Sequence, residues 1–396
     1  MNRFPTFEKK LHLKDNSFGA LRLFLALAVL YHHLFPLGGF GKEPIADLLN
    51  QQETVGSIAV LSFFIMSGFL VTNSFVHSQS VLSYGAKRAL RIYPAFLTCL
   101  IVTAFLFAPL VYLSEVGTLD TFWSSSEGPI SYITQNMFFF MHQYNISGLL
   151  SQNPYQHVFD GSLWTLILEV KAYIILGILG VIGLIKRRTI ILFFYLILIA
   201  IFLTKIVFPT PSNNLLHFFI DNSVFLFLTY FFTGVIFYLY RKEIIFSRFL
   251  LYLAIGLTVI SIPVGIFHQI LPFTFSYILF WLAAVLPLKK ITRYGDFSYG
   301  IYIYAFPIQQ LLTHFKLHRS FGEYLVLSTA LTVVFAVLSW YLVEKEFLSL
   351  KKTPNLRRLP FISYLSFLPF IKPIVVPKST AKSDVNWSKG RKKKAR

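Results

Sequence analysis

The chain has 396 residues, 55% hydrophobic and only 13% charged, with 44 phenylalanines and a formal net charge of +19. That balance excludes a soluble globular domain, in which about a quarter of residues are charged. It also excludes a disulfide scaffold, because Cys99 is the single cysteine. The excess of Lys and Arg would suggest nucleic acid in a soluble protein. Here it falls between long apolar blocks, so it is read as membrane topology and no nucleic-acid partner is expected.

Ten apolar segments stand out, at about 19–37, 57–77, 89–113, 162–185, 189–208, 222–240, 249–267, 271–287, 298–315 and 323–344. Each predicts a membrane helix. The fold class is therefore an all-α polytopic membrane protein, with about ten transmembrane helices around an internal cavity. If the N-terminus is cytoplasmic, the inner loops hold Lys87, Arg88 and Arg91, then Lys186 to Arg188, then Arg241, Lys242 and Arg248, then Lys289, Lys290 and Arg293. The outer loops hold only Lys42, Lys205, Lys316 and Arg319, and the longest, Ser114 to Gly161, has neither Lys nor Arg. Ten spans with that alternation leave both termini cytoplasmic.

The first segment follows a basic stretch (Arg3, Lys9, Lys10, Lys14), yet Pro36-Leu37-Gly38-Gly39 is no cleavage site, so the segment is read as a retained span. Arg22 and His33 lie eleven residues apart in it. Eleven helical steps return to within about 20° of the start and rise about 16 Å. One helix face thus carries a guanidinium and an imidazole at two depths, the pattern of a face lining a reaction chamber. Snorkelling of Arg22 and interfacial wetting of His32 and His33 are the alternative. His32 points about 100° away from His33.

The second segment contains Ser67-Gly68-Phe69-Leu70, small residues that permit close helix approach. The third opens with Arg88 and Arg91, at i and i+3 on one helix face. Guanidinium forks suit phosphate oxygens, and a helix N-terminus adds a favourable dipole. Positive-inside charge alone would account for the same pair. The long outer loop carries the aromatics Trp123, Tyr132, Tyr144 and Tyr155. The fourth segment begins Ser162-Leu163-Trp164 and embeds Glu169 about two turns in. An intramembrane carboxylate is a functional candidate, and Glu169 is placed to orient or charge-stabilise His33. In the ninth, Ser298, Tyr299 and Tyr302 either line a polar cavity or belong to an aromatic interface belt. No histidine spacing suggests a metal site.

Residues 1–346 form the predicted membrane domain. Residues 347–396 form a basic tail, with a short apolar segment, Leu359 to Ile371, lying along the interface before a polar, disordered end.

Taken together these residues resemble the membrane acyltransferase-3 family, from Phe18 to about Glu344. Arg22 and His33 match its Arg/Lys-x10-His pattern, and Arg88 with Arg91 before Ile92-Tyr93-Pro94 looks like its RxxR segment. Ser67 to Leu70 looks like its SGFL motif, Ser162-Leu163-Trp164 with Glu169 like SLW…E, and Ser298 to Tyr302 like SYGIY. One departure is Ala305, which stands before Pro307 where many members have a histidine. The resemblance implies transfer of an acyl group, generally acetyl, from cytoplasmic acetyl-CoA to a hydroxyl of an extracytoplasmic glycan such as O-antigen or exopolysaccharide, free or lipid-linked. It implies an enzyme of the bacterial inner membrane that uses no metal. His33 would be the general base, supported by Glu169. Arg22, Arg88 and Arg91 would hold the donor, and His32, Ser162, Trp164, Tyr299 and Tyr302 would contact the acceptor. A multi-span transporter or channel for an anionic solute is the alternative on the residues alone.

Overall fold

The computed structural model describes residues 5–13, 15–207 and 223–350. Their regular structure is helical, and among them no strand is formed beyond two isolated bridges. Helices occupy all ten apolar segments: α1 (Phe18–Gly38), α2 (Val55–Val76), α3 (Val81–Val102), α4 (Leu166–Val181), α5 (Arg188–Val207), α6 (Ser223–Leu239), α7 (Arg248–Val264), α8 (Phe267–Val285), α9 (Ser298–His314) and α10 (Phe321–Ser339). Six stretches are long and apolar enough to cross a membrane: Phe18–Gly38, Val55–Val76, Val81–Val116, Leu163–Val181, Phe267–Val285 and Phe321–Ser349. Arg188–Leu203, Ser223–Leu239 and Arg248–Val264 are shorter apolar helices. The tail from residue 351, with its apolar segment, lies outside the described residues.

Several boundaries follow from local chemistry. Gly39, at φ 71°, closes α1 in the left-handed conformation that glycine adopts without a Cβ penalty. Thr54 and Ser57 form a reciprocal capping box that starts α2. Ser80 caps α3 by accepting a hydrogen bond from Ser83 N, so that helix begins two turns before the arginines. Arg88 and Arg91 therefore sit within the helix, and the expected N-terminal dipole at this pair is absent: their backbone N–H groups are already spent on the helix ladder. Helix α3 runs on through a π-turn, Thr103–Phe107, into Ala108–Val116, giving 36 continuous residues.

Small residues set the closest approaches. A Cβ on Gly68 of α2 would fall 1.9 Å from the Phe231 carbonyl oxygen of α6, and one on Gly234 of α6 would fall 1.9 Å from that of Ile65. The two backbones touch reciprocally, which no residue with a side chain would allow. Apolar attraction gives membrane helices little reason to associate, so such close packing contributes much of their cohesion. Ala305 lies in an apolar cluster with Ala26, Leu30, Ile301 and Ala336, where α9 meets α1 and α10. It lines neither of the two polar cavities described below.

Candidate active site

Two cavities lie along α1, one at each end of its polar face. The first, about 140 Å³, is lined by Arg22, Ser67, Arg88, Arg91, Glu169, Tyr173, Ser298 and Tyr299, among others. The second, about 240 Å³, is lined by His32, His33, Glu53, Ser57, Ser162, Trp164 and His268, among others. Val60, Thr165 and Tyr302 line both. At this common wall Thr165 Oγ1 and the Tyr302 hydroxyl are hydrogen-bonded at 2.6 Å, and the Tyr302 hydroxyl also donates to the Ser162 carbonyl at 3.1 Å.

The arginines of the first cavity are not equivalent. Asp296 Oδ2 lies 2.9 Å from Arg22 Nη2 and 2.6 Å from Arg91 Nη2, so one carboxylate bridges α1 and α3. Its other oxygen accepts from Ser298 Oγ at 2.6 Å. Arg91 Nη1 also lies 3.7 Å from the buried carboxylate of Glu344. Arg88 differs. It donates to Ser74 Oγ at 3.2 Å and lies 5.9 Å from the Tyr173 ring centroid, and among the described residues it forms no ion pair. The Nε atoms of Arg22 and Arg88 are buried, and among the described residues they have no hydrogen-bond partner. The lining thus presents three guanidiniums, of which one is in no ion pair among the described residues and two keep an unused donor. That arrangement attracts an anion.

Glu169 belongs to this first cavity. It accepts a hydrogen bond from Ser67 Oγ at 3.1 Å and another from the Tyr173 hydroxyl, and Ser67 and Tyr173 are themselves 2.9 Å apart. The expected pairing of Glu169 with His33 is not formed. The physical reason is the short 3-10 turn Leu163–Thr165: the α-helix begins only at Leu166, which places Glu169 in its first turn facing α2, beside Ser67.

The carboxylate beside the histidine pair is instead Glu43, from the connector between α1 and α2. His32 Nδ1 lies 2.5 Å from Glu43 Oε2, while Glu43 Oε1 accepts from Val55 N at 2.9 Å. Glu43 is 4% exposed, so the imidazole is gripped by a carboxylate that is itself fixed. The His32 and His33 ring centroids are 5.4 Å apart. His33 also meets the edge of Phe306 at 5.1 Å, and among the described residues its buried Nδ1 has no partner. His32 thus faces the same cavity as His33 despite the 100° between them. Arg22 and His33, expected to share one passage, line two adjacent cavities that meet at Tyr302.

The remaining predicted residues fall in place around these. Ser162 donates to Asp160 Oδ1 at 2.7 Å and Trp164 stands near Phe227, both on the second cavity. Tyr299 donates to the Ile92 carbonyl at 3.0 Å on the first. Glu43, Glu53, His268, Asp296 and Glu344 were not among the expected site residues. The rule that a carboxylate in an apolar run is functional would have found Glu344, and Asp296 lies two residues before the Ser298 to Tyr302 stretch. Glu43 and Glu53 lie in a polar connector where nothing local distinguishes them.

Comparison with known proteins places this geometry. Residues 15–344 match the acyltransferase domain family. An O-acetyl transferase of Shigella phage Sf6 is 31% identical over 366 residues, covering 87% of this chain and 98% of that protein. Nodulation protein 10 of Rhizobium leguminosarum bv. viciae is 28% identical over 372 residues, covering 87% and 96%. The acyltransferase MdmB of Streptomyces mycarofaciens is 37% identical over 86 residues, 22% of each chain. No solved structure matches. With the family matched over residues 15–344, which include every residue lining the two cavities, this chain belongs to the acyltransferase-3 family of membrane acyltransferases.

Proposed function

We propose that this acyltransferase is an inner-membrane enzyme with ten spans and both termini cytoplasmic, and that it moves an acetyl group from cytoplasmic acetyl-CoA to a hydroxyl of an extracytoplasmic glycan, free or lipid-linked. The O-acetyl transferase relative supports the acyl group, and the alternation of Lys and Arg between loops supports the orientation. The observation that carries the reading is the adjacency of a cavity rich in guanidinium to one rich in imidazole, meeting at Val60, Thr165 and Tyr302.

Arg88 and Arg91, with Arg22, would hold the phosphates of the donor, Arg88 being the cation with charge to spare. The pantetheine arm would run from that cavity past Tyr302 toward His33, a path comparable to the axial separation of about 16 Å between Arg22 and His33. The acceptor oxygen attacks the thioester carbonyl carbon while His33 takes its proton. The carbon–sulfur bond then breaks, the proton passes to the CoA thiolate, and the products are an acetyl ester and free CoA. Glu43, which holds His32, supplies the negative charge that would offset positive charge on the His33 ring as it forms. This gives Glu43 the supporting role expected of Glu169, and leaves Glu169 with Ser67 and Tyr173 on the donor side.

Free CoA thiol, released by purified protein given acetyl-CoA and de-esterified envelope polysaccharide, reads the reaction directly. His33→Ala should abolish release while the protein remains folded by gel filtration. Release at the wild-type rate would remove His33 from the mechanism.

A further inference from the structure

The second cavity contains another acid–imidazole couple that the reaction above leaves unused. Glu53 ends the connector between α1 and α2 and is 9% exposed. One of its oxygens accepts from Ser57 Oγ and the other pairs with His268 Nδ1 in the first turn of α8. The residues around it hold both partners still. Ser57 is locked into the Thr54 capping box, with hydrogen bonds of 3.0 and 2.8 Å. Gln52 accepts from Phe267 N at 2.9 Å and donates to the Ile262 carbonyl at 2.8 Å, tying the connector to the turn between α7 and α8.

A carboxylate on Nδ1 fixes the neutral imidazole in the tautomer whose Nε2 carries a lone pair. Such a nitrogen accepts a hydrogen bond from a hydroxyl. His268 shares the cavity with His33 and with Trp164, a residue 41% exposed. Several hydroxyl-binding groups beside a partly exposed tryptophan match one ligand class, a sugar ring, with polar edges and an apolar C–H face. A helix clamp does not need this arrangement. Gln52 already joins the connector to α8, and a buried ion pair adds little stability over apolar residues of similar volume.

We propose that Glu53 and His268 form the acceptor-recognition site, with His268 Nε2 accepting from one hydroxyl of a sugar residue whose reacting hydroxyl faces His33 and whose ring lies against Trp164. This rests on the reading that the second cavity takes the glycan.

The test uses full-length protein in detergent, acetyl-CoA, and envelope polysaccharide of the source cell stripped of esters by mild alkali. Glu53→Gln and His268→Gln should each raise the apparent KM for polysaccharide about five- to twentyfold, with the KM for acetyl-CoA changed less than about twofold. The double variant should be no worse than either single one, because the pair acts as a unit. An unchanged acceptor KM in folded variants, with only kcat or yield lowered, would make the pair a clamp and overturn the proposal. A second measurement needs no variant. Polysaccharide should slow modification of His268 by diethyl pyrocarbonate in the wild-type protein, read by mass spectrometry, and acetyl-CoA should not; equal rates with and without polysaccharide would also overturn it. His33→Ala assayed alongside separates the two levels. If that variant is dead while His268 is insensitive, only the recognition role fails. If it releases CoA normally, the reading of the cavity fails too.

Discussion

Asp296 is the residue whose loss should be felt most widely, because one oxygen serves two arginines on two helices. Asp296→Asn keeps the shape and removes the charge. At about 3 Å and an effective dielectric of 20, each guanidinium contact is worth roughly 5 kcal/mol before desolvation is counted. Removing one partner of a buried pair costs about 3–5 kcal/mol net. The side chains are 14% exposed for Asp296, 29% for Arg22 and 20% for Arg91, so water screens part of this and the lower figure, about 3 kcal/mol, is expected. Much of the cost is repulsion between two guanidiniums left facing each other. Arg22→Gln in the same chain relieves it, so the double variant should recover about 1–2 kcal/mol relative to Asp296→Asn alone. Unfolding in mixed micelles of dodecyl maltoside and SDS, followed by tryptophan fluorescence, gives both numbers. An Asp296→Asn protein within roughly 0.5 kcal/mol of wild type, the scatter of ordinary surface changes, would refute the bridge as a structural element.

Two further outcomes follow from the cavities. Arg88→Gln should raise the KM for acetyl-CoA about tenfold or more, the worth of a charge-assisted hydrogen bond to phosphate, and leave the acceptor KM alone; steady-state kinetics with each substrate varied in turn check this, and an unchanged donor KM counts against phosphate contact. Glu43→Gln should lower kcat by about 10- to 100-fold with both KM values little changed, the size of effect seen when a carboxylate that orients a functional imidazole is lost; a variant with wild-type kcat would mean that the His32–Glu43 couple plays no part in proton transfer.

The helices were legible because each apolar block is long enough to need a membrane or a bundle to cover it, and the structure puts a helix on every one of the ten. The site was legible where its residues share one helix. Arg22 and His33 are tied by helical periodicity alone, and both do line polar cavities. It was not legible where partners are joined across helices. Glu169 was assigned to His33 by depth, a one-dimensional measure, while its rotation about α4 faces it to Ser67. Sequence distance also hid the carboxylates that matter to the histidines. Glu43 and Glu53 look like ordinary connector residues until the connector folds inward and buries both. Ala305 shows the reverse: what reads as a missing histidine is a small residue filling a three-helix contact, and Phe306 is the neighbour that meets His33.

Helix α2 explains why there are two cavities rather than one. It presents three small residues to three different neighbours. A Cβ on Gly56 would sit 2.5 Å from the His32 ring, so only glycine lets that ring lie where Glu43 can hold it. Three turns on, Ser67 bonds Glu169 and Tyr173, and the next residue, Gly68, lets α2 press its backbone on that of α6. Between these two levels α2 contributes Val60 and Phe63, and Val60 closes against Thr165 and Tyr302 as the wall both cavities share. The same helix that brings the groups close thus keeps arginines and histidines in separate compartments. Cations that would otherwise repel a charged imidazole are held apart from it, with Val60, Thr165 and Tyr302 between them.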